Sequence, residues 1–199
     1  PPALVERFAR PGRFLFNTYG PTETTVVATF AELKPGDAVT IGKPIANYTA
    51  YVVDEHMNLV APGQTGELVV GGPGVAKGYI NLPEMTAKKF VANPWDPGSK
   101  RDPILYRTGD AVSLDPAGRF AFHGRIDDQV KIRGYRIELG EIEAAVYSVT
   151  GIKECAVVAI PSEDFGQTIC CAYICDDGRA LAPASLRKDI SRSLPSYMV

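Results

Sequence analysis

Histidine is almost missing from this chain of 199 residues, with only His56 and His123 present, and cysteine is little better represented, with four. Three of the cysteines share one segment, Thr168-Ile169-Cys170-Cys171-Ala172-Tyr173-Ile174-Cys175, which reads as a strand. Neighbouring residues on a strand face opposite sides, so Cys170 and Cys171 cannot converge on one ion. No Cys-x-x-Cys pair accompanies them. The thiols are expected as small buried residues in a reducing compartment.

An excess of one charge is lacking too. Lys plus Arg is 21 against Asp plus Glu at 23, a net charge of −2, which supplies no electrostatic case for a nucleic-acid partner. Apolar runs such as Cys155 to Ile160 are short against the roughly 20 residues a membrane helix needs. Pro1-Pro2-Ala3-Leu4 runs directly into Glu6 and Arg7, with no signal-peptide pattern. No membrane association and a cytoplasmic location are therefore expected. No Met opens the chain, which starts and stops as though cut from a longer one. What is present is ample apolar material: 45% of residues, enough for one large core or two small ones.

To about residue 124 the pattern is strands and tight turns. Val26 to Phe30, Ala50 to Asp54 and Glu67 to Val70 are rich in β-branched residues between Gly and Pro clusters. Pro83 to Val91 predicts a short helix, since Pro suits a first turn and Met85, Lys88 and Lys89 favour helix. Asn93 to Ser99 reads as a loop, and two strands flank the turn Asp115-Pro116-Ala117-Gly118. After Arg125 the pattern changes. Gln129 to Ile132 and Tyr135 to Glu138 predict a hairpin around Arg133-Gly134, and Leu139 to Val149 a helix with Ile142, Ala145, Val146 and Val149 on one face. Strands at Ala156 to Ile160 and Ile169 to Ile174 follow. A last helix begins near Ala184, carries Leu186, Ile190 and Leu194, and stops at Pro195. The boundary between the two regimes falls at Asp127, giving parts 1–126 and 127–199.

Four motifs stand in order: Asn17-Thr18-Tyr19-Gly20-Pro21-Thr22-Glu23, then Gly66 to Tyr79, then Tyr106-Arg107-Thr108-Gly109-Asp110, then Gly124-Arg125-Ile126-Asp127-Asp128 running on to Gly134-Tyr135-Arg136-Ile137-Glu138. Each has a bland reading. The first is also a capped turn at a sheet edge, and Thr-Gly-Asp alone is an ordinary turn. In the run from Gly66 to Tyr79 the glycines and Lys77 suggest a phosphate loop, but Lys77 is followed by Gly78-Tyr79 and not by Ser or Thr, so the run reads as scaffold. Lys131 is equally a functional residue or a solvated strand position.

Taken together, the motifs resemble the adenylate-forming (AMP-binding) enzymes, and within them the adenylation domain of a nonribosomal peptide synthetase. Adenylate formation joins a carboxylate to the α-phosphate of ATP and expels pyrophosphate, so it needs a Mg²⁺ ligand, donors for phosphate and a grip on the nucleoside. The resemblance implies those parts residue by residue. Tyr19 stacks on adenine in the turn made by Gly20, with Asn17 at the adenine edge; Thr22 contacts the α-phosphate and Glu23 holds Mg²⁺. Asp110 accepts both ribose hydroxyls, Arg125 also reaches the ribose, and Arg136 lies near the phosphate. Asp127 is the hinge about which a small domain rotates, and Gly134 lines the path of a phosphopantetheine arm. Thr18, Val26 and Val27 would line the amino-acid pocket.

The fold implied is α+β: a β-rich, distorted barrel-like C-terminal part of a large core domain, followed by a small α+β mobile domain. The partners implied are an amino-acid substrate and a peptidyl carrier protein domain. The Asn of the first motif, and Tyr106 where acyl-CoA ligases often carry Trp, separate this reading from its runner-up, an acyl- or aryl-CoA ligase or related carrier-protein ligase. The family's phosphate loop and its late catalytic lysine lie outside the 199 residues, so the isolated chain is expected to be inactive. A non-catalytic carrier-docking module is the reading from another class.

Overall fold

The computed structural model describes residues 2–127, 129–132, 134–162, 166–176 and 181–199. Two compact units divide the chain, Pro1–Ile126 and Asp127–Val199.

In the first unit a short helix, α1 (Pro2–Phe8), precedes β1 (Phe16–Tyr19), β2 (Thr29–Glu32) and β3 (Lys43–Pro44), which form one antiparallel sheet in that order. A second sheet is built from β4 (Thr49–Val53), β5 (Thr65–Gly71), β6 (Phe90–Ala92), β7 (Ile104–Leu114) and β8 (Phe120–Arg125). Its strand order is β4-β5-β7-β6, with β8 also paired to β7. An isolated bridge between Gly42 and Phe120 joins the two sheets. Among the described residues no barrel closes, so the barrel-like curvature expected takes an open form.

The apolar run of β5 lacks alternation because both its faces are covered. Leu68 and Val70 pack with Ala28, Ile41, Val112 and Phe120 on one side, while Val69 packs with Val53 and Leu105 on the other. Two strand and helix boundaries differ from expectation. The strand expected at Val26 begins only at Thr29, because Thr22–Thr24 makes one 3-10 turn and Thr25 and Val26 then take φ of 60° and 70°. Positive φ is rare for β-branched residues, and nothing in the composition of this segment announces it. The helix expected to reach Val91 is α2 (Pro83–Lys89): Phe90–Ala92 leaves it to pair with β7, tertiary pairing overriding propensity.

In the second unit β9 (Gln129–Ile132) and β10 (Tyr135–Glu138) form the expected hairpin, although Arg133 and the Lys131 side chain lie outside the described residues, as does Asp128. Then come α3 (Leu139–Tyr147), the long antiparallel pair β11 (Ile152–Ser162) and β12 (Gly166–Cys175), and α4 (Pro183–Ile190). The core collects Ile137, Ile142, Val146, Val157, Leu186 and Ile190. The helix expected to continue to Leu194 ends at Ile190, yet the Leu194 N–H still donates to the Ile190 carbonyl at 2.9 Å and its side chain is buried. The cysteines correct one expectation. Cys170 is exposed, and Cys155, Cys171 and Cys175 are half-buried on the face of the pair that meets the core. Burial pushes the Cys155 and Cys171 thiols above their ordinary value.

Among the described residues no helix is long and apolar enough to cross a membrane.

Candidate active site

A bulge in β7 creates the site. The β5–β7 register slips so that Glu67 faces Ala111 while Val69 faces Arg107, which leaves Thr108, Gly109 and Asp110 opposite Leu68 alone. The bulge is pinned from several sides. Thr108 Oγ1 donates to the Leu68 carbonyl at 2.7 Å and accepts the Asp110 N–H at 3.0 Å. Buried Glu67 accepts the Gly109 N–H at 3.0 Å through Oε1, and Arg107 Nη2 at 2.6 Å through Oε2. Arg125, from β8, donates through Nη1 to the Thr108 carbonyl and to Asp110 Oδ1, both at 2.9 Å.

The other Asp110 oxygen, Oδ2, accepts the hydroxyl of Tyr19 from the end of β1. Burial, reinforced by the Asp110 carboxylate, pushes the Tyr19 phenol far above its ordinary value. Tyr19, Asp110 and Arg125, picked out from three separate motifs, are thus hydrogen-bonded to one another. Gly20 follows Tyr19 in the chain where a Cβ would lie 2.7 Å from the Val26 carbonyl oxygen and the Ala28 nitrogen, so this turn closes only over glycine. Asn17 Nδ2 donates to the Thr40 carbonyl at 2.8 Å. Thr22 is exposed in the 3-10 turn, and next to it Glu23 accepts the Tyr79 hydroxyl on Oε1 at 2.6 Å. Thr18 and Val26 are exposed and Val27 is half-buried.

Three of the residues singled out lie in the second unit. Asp127 accepts the Gln129 N–H through Oδ1 at 3.4 Å. Gly134 sits in the hairpin turn at φ 83°, and half-buried Arg136 is paired in register with Lys131.

Sequence reasoning missed Tyr79, which sits in a motif read as scaffold, and Phe122, whose ring lies 6.4 Å from that of Tyr19. An aromatic residue two positions before the Gly-Arg pair was the available signal for Phe122.

The sequence matches the AMP-binding enzyme profile over residues 1–80 and the AMP-binding enzyme C-terminal domain profile over residues 141–199. This chain belongs to the AMP-binding enzyme family. Delta-poly-L-ornithine synthetase of Acinetobacter baumannii (strain AB307-0294) is 48% identical over 202 residues, covering 100% of this chain and 15% of that protein. Tyrocidine synthase 2 of Brevibacillus parabrevis is 47% identical over 200 residues, covering 99% of this chain and 5% of that protein. Among solved structures, holo-PA1221, an NRPS protein containing adenylation and PCP domains bound to a vinylsulfonamide inhibitor, aligns with a TM-score of 0.77 at 33% identity. That match covers 96% of this chain and 33% of PA1221. The AMP-binding chain described here therefore spans a small fraction of the relatives it matches.

A Mg²⁺ ion is implied by the family, and the donor set fits one. Among the described residues no three His, Cys, Asp or Glu side chains gather as a metal cage. Mg²⁺ is ordinarily held by one or two carboxylates together with substrate phosphates, and half-buried Glu23 supplies such a carboxylate.

Proposed function

We propose that this chain is the C-terminal part of an amino-acid-activating adenylation domain, which forms aminoacyl-AMP from an amino acid and ATP and passes the acyl group to the phosphopantetheine thiol of a peptidyl carrier protein. The observation that carries the reading is the bonded set Tyr19–Asp110–Arg125: an aromatic ring, a buried carboxylate and a guanidinium fixed together on rigid strands, as recognition of a nucleoside requires.

In the first step a carboxylate oxygen of the amino acid attacks the α-phosphorus of ATP; the bond from that phosphorus to the β-phosphate bridging oxygen breaks, and pyrophosphate leaves. In the second, the carrier thiolate attacks the acyl carbon, a thioester forms, the acyl–phosphate bond breaks and AMP leaves. Within this chain, Tyr19 supplies a face for adenine, with Asn17 at its edge and Gly20 closing the turn. Asp110 accepts the ribose hydroxyls, since a carboxylate oxygen offers more than one acceptor site. Arg125 holds Asp110 and adds positive charge beside the ribose. Thr22 donates its hydroxyl to an α-phosphate oxygen. Glu23 would hold Mg²⁺, which when bound offsets phosphate charge.

In the second unit Asp127 is the hinge at the unit boundary, Gly134 lines the pantetheine path and Arg136 acts as a catalytic residue near the phosphate. The boundary between units at Ile126 and Asp127 supports the hinge assignment. Thr18, Val26 and Val27 contribute to the amino-acid pocket.

The test is acyl transfer. The native polypeptide carrying this chain, given ATP and amino acids, should load a holo carrier protein as an aminoacyl thioester. Transfer of fatty or aryl acids to free coenzyme A instead would replace this reading with the acyl-CoA ligase one.

A further inference from the structure

The loop that follows β5, residues 72–79, grips the turn carrying Thr22 and Glu23 at several points. The Ala76 N–H donates to the Glu23 carbonyl at 2.8 Å. Thr25 Oγ1 donates to the Gly74 carbonyl at 2.7 Å. The Tyr79 hydroxyl donates to Glu23 Oε1 at 2.6 Å. Only the last of these touches the carboxylate.

Tyr79 is itself held. Its N–H donates to Thr86 Oγ1 of α2 at 2.9 Å, and its ring stands edge-on to Phe90 with centroids 5.4 Å apart. Its hydroxyl lies 3.4 Å from that of Tyr106, a fully buried residue whose ring is 5.1 Å from Phe90. A phenol anchored this way presents its proton from a fixed point. A glutamate side chain otherwise samples many rotamers, and a cation ligand must be held near one of them to be useful.

We propose that Tyr79 is a positioning residue: its hydroxyl selects the rotamer in which the Glu23 carboxylate meets the divalent cation of the bound nucleotide. This gives the glycine-rich motif from Gly66 to Tyr79 a role beyond scaffolding, and it rests on the reading of Glu23 as the cation ligand.

The experiment uses the isotopically labelled native polypeptide that carries this chain, saturated with ATP, and a small amount of Mn²⁺ as paramagnetic probe, reading the broadening of the Thr22–Thr25 amide signals. The unaltered chain should show broadening there that Glu23→Gln abolishes. Tyr79→Phe, which keeps the ring against Phe90, should weaken it at least threefold. Thr25→Ala, which removes a loop contact to the same turn but not the carboxylate's partner, should leave it near the unaltered level.

Equal broadening in the unaltered chain and Tyr79→Phe overturns the positioning role alone. So does an equal loss in Thr25→Ala and Tyr79→Phe, or a collapse of the folded spectrum in Tyr79→Phe, since either makes the tyrosine structural. No broadening in the unaltered chain, or broadening that survives Glu23→Gln, contradicts the cation reading of Glu23 itself.

Discussion

Asp110 and Arg125 are partners in the β7–β8 ladder, and their side chains meet across it at 2.9 Å with only 8% and 16% of their side-chain surface exposed. Removing one member of such a pair leaves a buried charge uncompensated, which costs about 3–5 kcal/mol. Arg125→Met should therefore destabilise the first unit by roughly 3 kcal/mol or more. The double variant with Asp110→Leu should lose clearly less than the two single losses summed. Trp95, the sole tryptophan, packs against Tyr51 in the first unit and reports its urea unfolding by fluorescence. Additive losses would show that the two groups do not interact.

Alkaline pH should act through Tyr19. Its phenol is raised in the folded state by burial and by Asp110, whereas in the unfolded chain it ionises at the ordinary value of 10.0. The stability this confers is complete below pH 10 and declines above it, because the unfolded state then releases a proton the folded state keeps. The slope for one such group is about 1.4 kcal/mol per pH unit. Unfolding of the Trp95 probe measured between pH 9 and pH 11 should show this decline in the unaltered chain, and a shallower one in Tyr19→Phe. Identical slopes would remove Tyr19 from the account.

Gly42 joins the two sheets of the first unit at φ 78°, and a Cβ there would fall 1.8 Å from the Phe30 carbonyl oxygen. Both the left-handed backbone and the clash with a main-chain atom oppose any side chain. Gly42→Ala should lower the stability of the first unit by about 3 kcal/mol or more. A near-neutral urea midpoint would mean the sheet junction is softer than its geometry implies.

The isolated chain should bind ATP only weakly. Hydrogen bonds to a charged group contribute roughly 1.5–3 kcal/mol each, so two from Asp110 supply about 3–6 kcal/mol. Immobilising a ligand costs about 4–15 kcal/mol, and a dissociation constant of 1 mM already needs about 4.1 kcal/mol net. Calorimetry is expected to give a dissociation constant weaker than about 1 mM. Saturable micromolar binding would show that these residues form a more complete site than their contacts suggest.

Much of this arrangement was legible in the residues, for identifiable reasons. The hairpin of β9 and β10 and the apolar face of α3 follow from local periodicity, which burial then obeys. The meeting of Tyr19, Asp110 and Arg125 follows from no local rule; it was anticipated because three separated motifs pointed to one ligand. Where reading failed, the cause was tertiary. Phe90 and Val91 continue a helical pattern, but β7 offers them a pairing edge; Val26 has a strand pattern, but the turn at Thr22–Thr24 forces two β-branched residues to positive φ. Tyr79 was invisible because its partner, Glu23, lies 56 positions away. Spacing carries no trace of that contact.

The most direct test of the central claim is amino-acid-dependent exchange of labelled pyrophosphate into ATP by the native polypeptide that carries this chain. The account predicts exchange that depends on one amino acid or a narrow set, and that falls sharply in Asp110→Ala. Exchange with no amino acid at all, or exchange indifferent to Asp110, would contradict it.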